Sequence, residues 1–156
     1  MSAKEFSLAR KAYKKEGRNK TSEKMQEEYR ERRSVEIQDS IAESLISQGA
    51  SPLDVKKRAA KRTQEIMNNM AALHEPDMVA GGWHDPKPSG LGNTKVNSSI
   101  GGTWPRKVDV VDEVTGKPIK ESRISSMEKT ANEAIKNGQS NAKMNVELEV
   151  CRGKGK

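Results

Sequence analysis

Two places in the chain set an imidazole beside a carboxylate: His74 with Asp77, and His84 with Asp85. Imidazole is the side chain that exchanges a proton near neutral pH without special tuning. A neighbouring carboxylate can orient the ring, or offer oxygen to a hard divalent cation. His74 and Asp77 stand at i and i+3, a spacing that on a helix turns both side chains toward one point. Hydrolysis of a phosphodiester needs an activated water and a positive charge to offset the negative phosphorane, so the pair is sufficient in kind. The same residues also fit a plainer description, a satisfied histidine closing a helix followed by a turn aspartate. His84–Asp85 reads as a turn. Cys151 reads as a small hydrophobe at the end of a strand. There is no Gly-x-Ser-x-Gly elbow and no phosphate-binding loop, and Gly81, Gly82, Gly90 and Gly92 are too scattered for a dinucleotide fingerprint.

The elements that must position the pair follow from periodicity. Residues 22–48 form a helix with Tyr29, Ile37, Ile41 and Leu45 on one face and Gly49 as its stop. Ser51-Pro52-Leu53-Asp54 is an N-cap, a proline at the first helical position and an acid at the third. Val55, Ala59, Ile66, Met70 and Leu73 recur after it, so a helix is expected over 52–73, running straight into His74. The two helices make an antiparallel pair. Residues 74–106 carry no helix or strand period, and both tryptophans and both histidines lie there. A stretch well beyond about 12–15 residues without structure is expected to be a functional loop, with Trp83 and Trp104 pinning it to the core. Base stacking by these rings is the alternative. A hairpin follows, with Val108, Val110 and Val114 approaching a turn at Thr115-Gly116-Lys117-Pro118. A helix over 125–137 and a half-buried strand over 144–150 complete the chain. The fold class is α+β, mainly α: an N-terminal helical pair, a long active-site loop, and a small antiparallel sheet with one helix.

Composition limits the partners. The net charge is +7, with 33% charged, 32% apolar and 3% aromatic residues. Such a balance favours polyanions, whether nucleic acid, an anionic membrane surface or an acidic protein, and allows only a thin core. A single cysteine excludes an intrachain disulfide. No apolar run approaches the about 20 residues of a membrane-spanning helix, so membrane insertion by this domain is not expected. Residues 1–21 are polar and basic and are expected to be a flexible arm, frayed helix or linker, with 22–152 as the domain proper and 153–156 as a tail. The abrupt ends suggest a domain cut from a longer chain.

The stretch Leu73-His74-Glu75-Pro76-Asp77-Met78-Val79-Ala80-Gly81-Gly82 has companions downstream. These are Gly92-Asn93, Val96-Asn97-Ser98-Ser99-Ile100-Gly101, Trp104 and the closing Met144-Asn145-Val146-Glu147-Leu148-Glu149-Val150-Cys151. In order and spacing they resemble the polymorphic toxin type 15 domain. The resemblance implies a bacterial toxin nuclease with an essential His-x-x-Asp pair, a family that includes DNase effectors of type VI secretion. His74 and Asp77 would be catalytic, DNA the substrate, a cognate and acidic immunity protein the partner, and the cytoplasm of a target bacterium the place of action.

On that reading Asp77 helps hold a divalent metal, Mg²⁺ by its preference for oxygen ligands, and His74 is the general base or a second metal ligand. One imidazole and one carboxylate do not fill a coordination shell. Glu36, Asp39, Glu43 and Glu65 are candidates to help complete it. Lys57, Arg58, Lys61 and Arg62 on one helix face, with Lys95 and Arg106, would bind DNA through phosphates. The rival reading is a non-enzymatic basic protein that binds nucleic acid or an acidic partner and needs neither His74 nor Asp77.

Overall fold

The computed structural model describes residues 1–112 and 114–144. Its first element is a helix, α1 (Ala3–Glu16), where the composition suggests a flexible arm. The reason is local. Ser2 and Glu5 form a reciprocal capping box, in which Ser2 Oγ accepts from the Glu5 N–H at 3.3 Å and the Glu5 carboxylate accepts from the Ser2 N–H at 2.7 Å. Ala3, Phe6 and Ala9 then recur on one face and are buried, leaving the lysines outside.

Two long helices follow. Helix α2 (Lys20–Ser47) starts at Asn19, whose side chain accepts from the Thr21 N–H, and α3 (Pro52–Met67) starts at the expected Ser51 cap. Leu45, Val55 and Ala59 form the core between them, with Ile41, Ala42 and Ala50 alongside. This is the antiparallel pair that the periodicity predicts.

The expected helix over 52–73 stops early. Asn68 and Asn69, poor helix formers, end it. Met70-Ala71-Ala72-Leu73 instead becomes a strand, β1 (Met70–Leu73), antiparallel to β2 (Gly90–Asn93), with Leu73 opposite Gly90. Tertiary pairing thus overrides the helical spacing of Ile66, Met70 and Leu73. From the helical pair, Gln26 donates to the Ala72 carbonyl and Arg30 to the carbonyls of Met67 and Met70. These bonds satisfy backbone acceptors along β1 and just before it.

Residues 74–106 are more regular than expected. They hold two 3₁₀ turns (Met78–Ala80 and Gly82–His84), then β2, then α4 (Thr94–Thr103). The signal for α4 is its cap, for Asn93 Oδ1 accepts from the N–H groups of Lys95 and Val96 at 3.0 and 3.2 Å. The serines and glycines that follow hide its period. The hairpin is β3 (Lys107–Val111) with β4 (Pro118–Ser122), antiparallel, Lys107 opposite Ser122. Val114 lies in the turn, fully exposed, not in the strand. Helix α5 (Arg123–Lys136), capped by Ser122, packs Ile124 and Ala131 against Ala3 and Phe6 of α1. The expected last strand falls almost wholly at 145–150, outside the described residues. The architecture is therefore α+β and mainly α, with five helices and two two-stranded antiparallel ribbons among the described residues. No helix among them is long and apolar enough to cross a membrane.

Phe6 is fully buried where α1, α5 and the segment after His74 meet. Phe6→Ala should cost about 3–5 kcal/mol, a fall of roughly 10 °C in Tm, measured by thermal unfolding. An unchanged Tm would mean that α1 is not part of the folded unit.

Candidate functional site

His74 leaves the end of β1, and the chain then turns through Glu75 and Pro76 to Asp77. The pair is not presented by one helical turn, as its spacing suggests; it straddles a turn between a strand and a 3₁₀ helix. Asp77 is held on several sides. Its Oδ1 accepts from the Val79 N–H at 3.3 Å, capping the first 3₁₀ turn, and its Oδ2 accepts from Trp104 Nε1 at 3.2 Å. Its main-chain carbonyl accepts from the N–H groups of Ala80 and Gly82. The turn depends on glycine at two positions. Gly81 takes a φ of 116°, and a Cβ on Gly82 would collide with the Pro76 carbonyl. Gly101 of α4 faces Asp77 Oδ2, where a Cβ would stand 3.7 Å away. The C-terminal turn of α4 and the Trp104 that follows it thus bring a second element to the carboxylate.

His74 is half-buried, and both its ring nitrogens are shut from solvent with no hydrogen-bond partner. Burial dominates its protonation and lowers its pKa from the ordinary 6.5. The Lys87 carbonyl works the other way, though its geometry falls short of a hydrogen bond, and the charges of Asp85 and Asp77 also oppose the shift. Arg18 reinforces it. The imidazole is therefore neutral at neutral pH, with a lone pair free. An unpartnered buried polar group costs about 1–3 kcal/mol, so the site stores an unmet hydrogen-bonding demand.

The supports of this turn come largely from the N-terminal segment. Arg10, 7% exposed, donates from Nη1 to the Val79 carbonyl at 2.8 Å and from Nε to Glu128 of α5 at 2.7 Å. Lys14 joins the same carboxylate at 2.6 Å. Burial acts to raise the Glu128 pKa, but the Lys14 and Arg10 hydrogen bonds outweigh it and hold the carboxyl below its ordinary value. Asn19 donates from Nδ2 to the Trp83 carbonyl at 2.9 Å, and Trp83 Nε1 donates to the Gly17 carbonyl at 3.0 Å. Both tryptophans do pin the segment, as expected, and Trp104 also orients Asp77. Sequence reasoning missed Arg10, Asn19 and that role of Trp104. The Ser2-x-x-Glu5 capping box ahead of Phe6 and Ala9 is the signal that would have placed α1.

The remaining candidates are dispersed. His84 is exposed, its ring edge-on to Trp83 at 5.0 Å. Lys57, Arg58, Lys61 and Arg62 line the exposed face of α3, while Lys95 and Arg106 are exposed at the two ends of α4. For a divalent cation, the pair offers a neutral, unpartnered imidazole and a carboxylate whose two oxygens each accept one hydrogen bond and keep lone pairs. Among the described residues no group of three or more His, Cys, Asp or Glu gathers there or elsewhere, so Glu36, Asp39, Glu43 and Glu65 do not complete a shell with the pair.

The lowered His74 pKa has a consequence for stability. Between the folded pKa and 6.5 the unfolded chain binds more protons, so stability is fully present above about pH 6.5 and is lost as pH falls through the folded value. In denaturant titrations His74→Gln should flatten this acid-side loss. An unchanged pH dependence would show that His74 is not buried neutral. No curated protein matches the chain. The residues that build this site, from the N-terminal helix to Trp104, all fall within the match to the Novel toxin 15 family model, over residues 1–149, and the chain belongs to that family of polymorphic toxin domains.

Proposed function

We propose that this toxin domain is a metal-assisted endonuclease that hydrolyses DNA phosphodiester bonds with His74 and Asp77. The observation that carries the reading is the buried, neutral and unpartnered imidazole within reach of the charge of Asp77, whose carboxylate is oriented from two sides. A general base must be unprotonated and free to accept, and His74 is both. It takes the proton of the attacking water as the new P–O bond forms, and the departing oxygen of the broken P–O bond takes its proton from solvent. Asp77 would help hold a Mg²⁺ ion; a role for His74 as a second metal ligand is the alternative to its role as base. Bound, the cation would supply positive charge against the phosphorane. With both ring nitrogens covered, engagement requires His74 or the segment over it to shift when substrate arrives.

Trp104 is a positioning residue, since its indole N–H bonds Asp77 Oδ2 and fixes the direction of the carboxylate. The exposed cations Lys57, Arg58, Lys61, Arg62, Lys95 and Arg106 would hold the backbone without reading sequence. A net charge of +7 fits an acidic immunity protein as the partner that neutralises the toxin in the producing cell. Delivery as a secreted effector, by type VI secretion, into the cytoplasm of a competing bacterium is the setting in which such an activity kills.

Purified protein should nick and linearise supercoiled plasmid with Mg²⁺, and neither with EDTA nor as His74→Ala, whose thermal unfolding should remain cooperative. Cleavage by folded His74→Ala at the wild-type rate would remove the assignment. Trp104→Phe removes the indole N–H bond to Asp77 and part of the ring's packing against the core of α1 and α5, so kcat should fall about 10–100-fold while unfolding stays cooperative, with at most a modest fall in Tm. A wild-type kcat in that variant would show that Asp77 needs no such orientation.

A further inference from the structure

Most cations of this chain are spread over solvated helix faces, but three converge at one junction. Arg106 and Lys107 lead into β3, and Arg123 is the first residue of α5. The pairing of Lys107 with Ser122 sets the entry and exit of the hairpin side by side, and the Ile124 N–H donates to the Trp104 carbonyl at 3.3 Å across the same junction. Between them lies an open groove lined by Thr103, Arg106, Lys107, Val108, Asp109 and Arg123. The three cations are exposed, and among the described residues none of them is in an ion pair. Asp109 is the single carboxylate of the groove.

This arrangement is unfavourable for an empty protein. Like charges repel, and a cation in the first turn of a helix opposes the helix dipole, which favours acids that α5 lacks there. An anion in the groove reverses both penalties, and two guanidinium groups with an ammonium suit phosphate oxygens. Thr103 and Trp104 join the groove to the site, for the same Trp104 whose carbonyl closes the junction holds Asp77 Oδ2 by its indole N–H.

We infer that the groove of Arg106, Lys107 and Arg123 is a second phosphate subsite, which grips a non-scissile backbone phosphate of the DNA and so sets the scissile one at His74 and Asp77. The inference rests on the nuclease reading and adds Lys107 and Arg123 to the substrate-binding surface. The cations of α3, by contrast, lie on a helix that packs on α2 and β1.

The test measures binding of a fluorescent DNA duplex by anisotropy, in the full chain carrying His74→Ala, across a salt series. Arg123→Gln and Lys107→Gln should each weaken binding several-fold and lower the slope of log K against log salt by about one. Lys136→Gln, at the far end of α5, is the control for net charge and should change neither. Tm should change little in Arg123→Gln, because the variant loses a long bond from Arg123 Nη1 to Thr103 Oγ1, 3.5 Å, but also removes a cation that opposed the helix dipole. Parental binding and slope in both groove variants, or losses no larger than the Lys136→Gln control, would overturn the subsite. A lowered Tm that accompanies the loss would assign Arg123 to the fold and overturn it too. Plasmid cleavage by the wild-type chain is scored separately. A chain that cuts, with normal binding in both variants, overturns the groove alone; one that neither cuts nor binds overturns the reading beneath it.

Discussion

The guanidinium of Arg10 is the point on which the site depends. It is nearly buried, and it joins three parts of the chain that are distant in sequence: its own helix α1, Glu128 of α5, and the Val79 carbonyl in the turn after Asp77. A charge taken that far from water must be matched closely, and here each bond it makes fixes a different element. In a chain with so few aromatics, apolar packing alone has little to offer the glycine-rich segment around the pair. Phe6 provides the local core, and polar bonds from Arg10, Asn19 and the Gly17 carbonyl provide the alignment.

With the turn held from outside, His74 can be left unsatisfied. His74 has no partner for either nitrogen, yet its neighbour Asp77 is bonded through every oxygen it carries. The asymmetry suits the proposed chemistry, in which the carboxylate would be fixed in direction and the imidazole would keep an unpartnered lone pair. The turn around the orphaned ring is close-packed, for a Cβ at Gly82 would collide with the Pro76 carbonyl. Binding sites commonly retain such local disfavour, because substrate relieves it.

Much of this was legible in the residues. The helical pair followed from the spacing of Ile41, Leu45, Val55 and Ala59 and from the Ser51–Pro52 cap, since both signals are local and agree. The hairpin followed from alternation and a Gly-containing turn, and α5 from its apolar spacing. His74 and Asp77 were legible as a chemical possibility, and the family resemblance gave them their order among candidates. Among the readings that did not hold, those of the elements failed for tertiary reasons. The helix over 52–73 was broken because β2 offers Met70–Leu73 a strand partner. Residues 74–106 were structured because cap and pairing bonds outweigh poor propensities. Residues 1–21 look like a basic arm because lysines mask a short apolar face that only α5 and the turn can bury.

By itself, then, the sequence determined the elements whose signals are local, the net charge of +7 and the adjacency of His74 and Asp77 along the chain. Tertiary structure decided how that pair is presented: on a strand-to-turn junction, with Trp104 brought from beyond α4 and Arg10 from the N-terminal helix. The physical reason is range. Periodicity and capping act over a few residues, whereas the desolvation of His74 and the hydrogen bonds on Asp77 arise from segments that meet only when the chain has folded.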